Sequence, residues 1–259
     1  MWAIVTGGSS GLGLALAKRL AKQGYDLVLV SRSAEKLDEA VARIKECCGG
    51  RDIRVCPMDL SRPDAAESLH EWTEARGIDP DVLVNNAGMY FYEPVTEVNE
   101  SQQDCLIGLN ISALASLCRL YGRDMAASGS NGGRPEKYIL NIASYSVYMP
   151  IEGFGYYAGS KAFVRTFSRC FAKEMRHSGV KVTAVAPAGI DTGLMHLRPR
   201  IRTLARTFGF LASADTIARI SLRVLKSRRI HYWIPLWYNV LFIPLLWVFQ
   251  RLFKKVLGH

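Results

Sequence analysis

The feature that most constrains this chain is an alternation. Short apolar runs stand at residues 3–5, 27–30, 82–84, 138–142 and 180–185, with a weaker one at 53–56, and segments of helical period separate them. These runs lack the apolar/polar alternation of a strand with one wet face, so each is expected to be buried on both faces. Strands that alternate with helices and are covered on both sides form parallel sheets. The chain is therefore read as α/β, a doubly wound parallel sheet. Its 259 residues, 49% of them hydrophobic, suit one core-burying domain, and no Pro/Gly/Ser-rich linker divides them. The polar, glycine-rich stretch 128–137 reads as a surface loop.

After the first run comes Thr6-Gly7-Gly8-Ser9-Ser10-Gly11-Leu12-Gly13, which leads into a helix starting near Gly11. Glycines at this spacing permit a tight turn and close backbone approach to a pyrophosphate, held by the free donors and dipole of the helix N-terminus. A glycine-rich turn alone says little, but its place after the first strand of an α/β pattern points to a dinucleotide and a Rossmann fold. NAD-binding folds of this kind place a carboxylate about 20 positions further on, at the ribose 2′-hydroxyl. Here the second strand ends in Ser31 and Arg32. A carboxylate would repel a 2′-phosphate, whereas a serine beside a guanidinium binds one, so NADPH is expected over NADH. Asp59 and Leu60, after the third strand, are assigned to the same end of the cofactor. Asp59 either accepts from the adenine amino group or caps the next helix.

Tyr157-Ala158-Gly159-Ser160-Lys161 sets a phenol and an ammonium four residues apart in a helical region, on one face. A phenol with a pKa near 10 is a sluggish acid at neutral pH until a cation stabilises its anion. Tyr156 competes for the role, but its +4 position is Ser160, so packing or a substrate wall suits it better. Ser144 lies 13 residues before Tyr157, just after a strand, where its hydroxyl meets a substrate oxygen that Tyr157 also reaches.

With the glycine turn, the Ser, Tyr, Lys set and Asn85-Asn86-Ala87-Gly88 after the fourth strand, the chain resembles the single-domain short-chain dehydrogenases/reductases, from Trp2 to about Pro235. The resemblance implies hydride transfer between a nicotinamide and a carbonyl or alcohol carbon. Tyr157 would be acid or base and Ser144 would orient the carbonyl oxygen. Lys161 would hold the nicotinamide ribose and lower the Tyr157 pKa, and Asn110, matching the fourth catalytic position, would hold a water of the proton relay. Asn110 read as an ordinary residue is a buried amide tying a helix. Asn86, Ala87 and Gly88 are assigned to the cofactor. The family's Pro-Gly turn is Pro187-Ala188-Gly189 here, and Ile190 and Thr192 after it are expected to meet the nicotinamide.

Charge is uneven. Residues 1–175 carry 19 basic and 21 acidic side chains, whereas the last 84 carry 14 basic and only Asp191 and Asp215 on the acidic side. Between Arg229 and Arg251 lie 21 residues without a charge, rich in aromatics and followed by Arg251, Lys254 and Lys255. Residues 230–234 fall where the family places its last strand, leaving a segment short for a membrane span. A catalytic domain over 1–235 and a hydrophobic, basic tail over 236–259 are expected, the tail lying in a membrane interface with its cations on lipid phosphates, or serving as a lid or oligomer contact. Nucleic acid is not expected as a partner, since no recognition motif accompanies the charge. The six cysteines have no metal-ligand or disulfide spacing, no signal peptide is apparent, and a cytoplasmic protein peripheral on a membrane is expected, with no metal.

Arg198, Arg200, Arg202 and Arg206 fall in the family's substrate lid. A basic lid beside a membrane-binding tail suits a long-chain lipid ketone, a 3-ketosphinganine or 3-oxoacyl thioester. The 3-ketodihydrosphingosine reductases resemble it in combining this domain with a hydrophobic C-terminal stretch. A hydroxysteroid or retinoid dehydrogenase is the alternative within enzymes, and a non-catalytic NADPH-binding scaffold the alternative outside them. A homo-oligomer is implied by the resemblance.

Overall fold

A computed structural model describes residues 1–129, 136–148, 152–187, 189–191, 211–225 and 231–233. Within them a seven-stranded, wholly parallel sheet runs β3-β2-β1-β4-β5-β6-β9. Its strands are β1 (Trp2–Thr6), β2 (Asp26–Ser31), β3 (Ile53–Pro57), β4 (Pro80–Asn85), β5 (Lys137–Ile142), β6 (Val180–Pro187) and β9 (His231–Trp233). A separate pair joins β7 (Gly189–Asp191) to β8 (Leu211–Ser213). The helices are α1 (Gly11–Lys22), α2 (Ala34–Lys45), α3 (Ala65–Glu74), α4 (Glu100–Ile107), α5 (Leu114–Gly129), α6 (Gly155–Glu174) and α7 (Ala214–Val224). This is the Rossmann-type doubly wound sheet expected from the sequence. The loop expected over 128–137 is narrower than its composition suggested, because α5 runs through Gly129 and β5 begins at Lys137.

The apolar runs are continuous because alternate residues feed two cores. Ala3, Val5, Leu27, Leu29, Val82 and Val84 face one layer with α1, α2 and α7, while Ile4, Val28, Val30 and Leu83 face another with α3, α5 and α6. With both faces covered, the inner strands are largely apolar, and a solvated side chain such as Arg54 is found on the edge strand β3. The apolar stretch Glu100–Ser128 is long enough to cross a membrane, but half of it is buried, and Leu106, Leu117, Tyr121 and Met125 belong to the second core. It is therefore read as a core helix.

Between α4 and α5 the helix widens into a π-helical segment, Gly108–Ala113, which carries Asn110. On the same face of the sheet, His70 of α3 bridges two carboxylates. Its Nε2 lies 2.5 Å from Asp124 on α5, and its Nδ1 lies 3.5 Å from Glu74, one turn further along α3. The bond from His70 to Asp124 ties α3 to α5.

Candidate active site

The site forms at the C-terminal ends of β1, β4 and β5, where the strand order reverses and the crossovers on the two sides of β1 diverge. Gly7 has φ +64° and Gly11 φ +52°, conformations that a side chain would strain. A Cβ on Gly13 would sit 2.0 Å from the Gly7 carbonyl and 2.6 Å from Asn86 Nδ2. The turn is thus closed against α1 and the end of β4 at a spacing only hydrogen atoms permit.

Thr6 Oγ1 accepts from the backbone N–H of both Asn86 and Ala87 at 3.0 Å and donates to Val84 O. The Asn86 amide donates to the carbonyls of Thr6 and Gly7. Asn86 is expected at the cofactor, and its side chain fastens the glycine turn to β4. Ser10 stands at the N-cap of α1 without capping it, so its side chain leaves the first-turn donors to a ligand. This cradle fits the diphosphate of a dinucleotide. Leu12 and Gly13 are buried in α1's first turn.

At the end of β2, Ser9 Oγ donates to Ser31 Oγ at 2.9 Å, joining the turn to that strand, and Arg32 is exposed. Asp59 accepts from the N–H and hydroxyl of Ser61 at 3.0 and 2.8 Å. That backbone bond lowers its pKa, outweighing burial, with help from the Ser61 hydroxyl and nearby Arg32. Its carboxylate closes the turn before α3, whose own N-cap is Asp64. Leu60 is buried in the core behind it.

Tyr157 and Lys161 lie on one face of α6, as the spacing predicted, with Nζ 5.9 Å from the centre of the phenol ring. Ser144, just beyond β5, is hydrogen bonded to the Tyr157 hydroxyl and accepts from Ser146 N. Burial raises the Tyr157 pKa, and the bond to Ser144 opposes it, so in the free protein the net shift is upward rather than the lowering expected from Lys161. Lys161 is 5% exposed, donates to Ile142 O at 3.0 Å, and burial pulls its pKa to about 8. A Cβ on Gly88 would lie 3.3 Å from both Lys161 Nζ and Asn110 Oδ1, so the glycine lets the 86–88 strand extension pass over them.

Asn110 is buried and clamps Met89 from both sides, accepting from its N–H and donating to its carbonyl, each at 2.9 Å. Its other amide hydrogen goes to Ser160 Oγ. Both amide hydrogens are engaged, so a relay water would meet Oδ1 or the main chain of the π-helical segment. Tyr156 turns away: its hydroxyl donates to Gln103 and its ring leans on Phe91, a packing role. Ile190 is half-buried on β7. Thr192, the lid arginines and the tail lie outside the described residues.

Sequence reading missed the rings beside Tyr157. Tyr90 lies edge-on to it at 5.8 Å between centres, Phe154 edge-on at 5.8 Å, and Tyr92 edge-on to Phe154 at 5.5 Å. Tyr90 and Tyr92 follow Gly88 closely, and an aromatic at such a place has no periodicity to mark it.

A dinucleotide cradle whose floor carries a serine, a tyrosine and a lysine in contact defines an NAD(P)-dependent oxidoreductase. Residues 1–200 match the short chain dehydrogenase family, and the chain belongs to it. It is 31% identical over 233 residues to 17-beta-hydroxysteroid dehydrogenase type 3 of Danio rerio, covering 87% of this chain and 70% of that one. It is 34% identical over 203 residues to the very-long-chain 3-oxoacyl-CoA reductase of Rattus norvegicus, covering 76% of this chain and 62% of that one. The chain thus spans between 60% and 70% of the length of such relatives. Among solved structures, a short-chain dehydrogenase from Sphingobium yanoikuyae in complex with NADPH superposes with a TM-score of 0.77 at 28% identity, covering 97% of this chain and 94% of that one. One from Burkholderia cenocepacia J2315 in complex with NADP gives 0.75 at 27%, covering 88% and 91%.

Proposed function

We propose that this chain reduces a ketone on a long-chain lipid, of the 3-oxoacyl or 3-ketosphinganine kind, with NADPH. The observation that carries the reading is the buried contact of Tyr157 with Ser144, one helical turn from Lys161. When bound, the dinucleotide supplies a hydride to the carbonyl carbon. Tyr157, kept protonated by burial, gives its phenolic proton to the carbonyl oxygen, and Ser144 donates a hydrogen bond to that oxygen. The phenolate left behind is stabilised by the Lys161 ammonium and regains its proton from solvent. Ser31 and Arg32 hold the 2′-phosphate, and NADP(H)-bound neighbours of similar fold support that choice. The lipid assignment draws on the 3-oxoacyl-CoA reductases among the relatives.

Tyr157→Phe tests it: NADPH oxidation with a 3-oxoacyl-CoA should fall by about 10²- to 10⁴-fold while NADPH fluorescence titration stays unchanged. A fully active variant overturns the assignment. Arg32→Ala should erode the preference for NADPH over NADH. The relative acting on hydroxysteroids, matched over the longer stretch, favours a second reading, a ring ketone as substrate. A ketone panel graded in chain length separates the two. We assign residues 236–259 to a membrane surface; unchanged vesicle binding after their deletion overturns that part.

A further inference from the structure

Tyr90 belongs to no motif, yet its surroundings fix it beside the reacting phenol. The residue before it, Met89, is held through both backbone groups by the buried Asn110 amide. Its ring meets Tyr157 edge-on at 62° and Phe154 at 6.1 Å, and its hydroxyl is near enough to influence the Tyr157 phenol. Phe154 is held in turn. Glu93 N donates to Gly153 O at 3.0 Å, and Gly153, with φ +81°, leaves room for the Tyr92 ring, which would lie 3.1 Å from a Cβ at that position. The segments 89–93 and 153–157 are thereby strapped together, and their rings grade outward from half-buried Tyr90 to Tyr92, which is 65% exposed.

We propose that Tyr90, backed by Phe154, is a specificity-determining residue that sorts ketones by bulk at the carbon beside the carbonyl. The oxygen must reach Tyr157 and Ser144, and one flank of Tyr157 is already filled by two rings that cannot yield without breaking their mutual packing. A ketone flanked by an unbranched methylene slides past such a wall. A ketone flanked by a quaternary carbon, as in a fused ring system, collides with it. This rests on the reductase reading above and sharpens it toward linear 3-oxoacyl substrates.

The full-length protein and its Tyr90→Ala, Tyr90→Leu and Tyr90→Phe variants are compared on two ketone pairs: 3-oxododecanoyl-CoA against its 2,2-dimethyl analogue, and 2-octanone against 3,3-dimethyl-2-octanone. The unbranched-over-branched ratio of kcat/KM is expected to be high in the wild type. In Tyr90→Ala it should fall by about tenfold or more, through a gain on the branched partner, with the NADPH Kd unchanged. A gain on one substrate cannot come from a damaged fold, and Tyr90→Leu repeats the test in a variant that fills more of the space. Tyr90→Phe should keep the wild-type ratio, since shape and not the hydroxyl does the sorting. An unchanged ratio in Tyr90→Ala and Tyr90→Leu, or an equal change in Tyr90→Phe, overturns the proposal. Sorting of the simple ketones by a wild type inert on both thioesters breaks the lipid reading and leaves the role of Tyr90 standing. Inertness on all four ketones overturns both.

Discussion

Lys137 and Lys161 are both buried, at 3% and 5% exposure, and both attach to β5, one at its first residue and one at the carbonyl of its last. Lys137 is paired with Asp79, whose carboxylate reaches in from the surface. Among the described residues Lys161 meets the Ile142 carbonyl and the Tyr157 ring and no carboxylate, and burial pulls its pKa down to about 8. One end of β5 is built as solvated protein normally is, with a buried charge matched by its opposite. At the other end an ammonium is held in a dry place beside a phenol, an arrangement that costs stability and gives the phenol a partner of tunable charge.

The largest effect that could break this comparison lies in Lys161→Met. Turnover of a 3-oxoacyl-CoA is expected to drop by about a hundredfold or more, with the circular dichroism spectrum unchanged. If Lys161 were merely structural, rate and melting temperature would fall together.

Asp79→Asn probes the opposite end of β5. It leaves the Lys137 charge without its partner and should cost about 1 kcal/mol in urea unfolding, well under the ~3–5 kcal/mol of a fully enclosed pair, because Asp79 is 56% exposed. Its kcat/KM should equal that of the wild type.

A pH series sharpens the contrast further. The unfolded chain keeps its Lys161 proton up to about pH 10.5, whereas the folded protein releases it near 8. Between those values unfolding takes up a proton, so stability rises with pH across that window and the cost is fully present below it. The wild type should gain melting temperature relative to Lys161→Met from pH 8 to 10.5, and kcat/KM for ketone reduction should decline as pH rises through about 8. A flat difference would show that Lys161 carries its proton undisturbed. The smallest effect is expected from Arg119→Ala: its pair with Glu67 is exposed on both sides and should contribute under about 0.5 kcal/mol.

Strands were the most legible part of the chain. Each run at 3–5, 27–30 and 82–84 reappears within β1, β2 and β4, since unbroken apolar stretches between helices admit few other folds, and the last strand falls within 230–234. Ser144, Tyr157 and Lys161 were legible because their chemistry needs fixed spacing on one helix and its neighbouring loop. What was not legible depends on contacts far apart in sequence. The Asn86 amide is spent on a turn 79 and 80 residues away, and Tyr90 acquires its place through Asn110 and Phe154. A lysine's letter does not say whether a carboxylate will find it, which is why Lys137 and Lys161 look alike in sequence and differ in the fold.

The π-helical segment gives the helix through Asn110 something like a reading frame. Residues upstream and downstream of Gly108–Ala113 are phased by one residue more than an α-helix would allow between them. Removing a single residue there would let the α-helix close with α4 and α5 still in phase, because six residues of the wider helix turn the chain about as far as five of an α-helix. Leu106 and Leu117 would keep their shared core, and the loss would fall on the segment itself, where Asn110 holds Met89. In this stretch a deletion of one residue should therefore spare the packing of the helices on either side and cost the site, because the contacts it removes are those of Asn110.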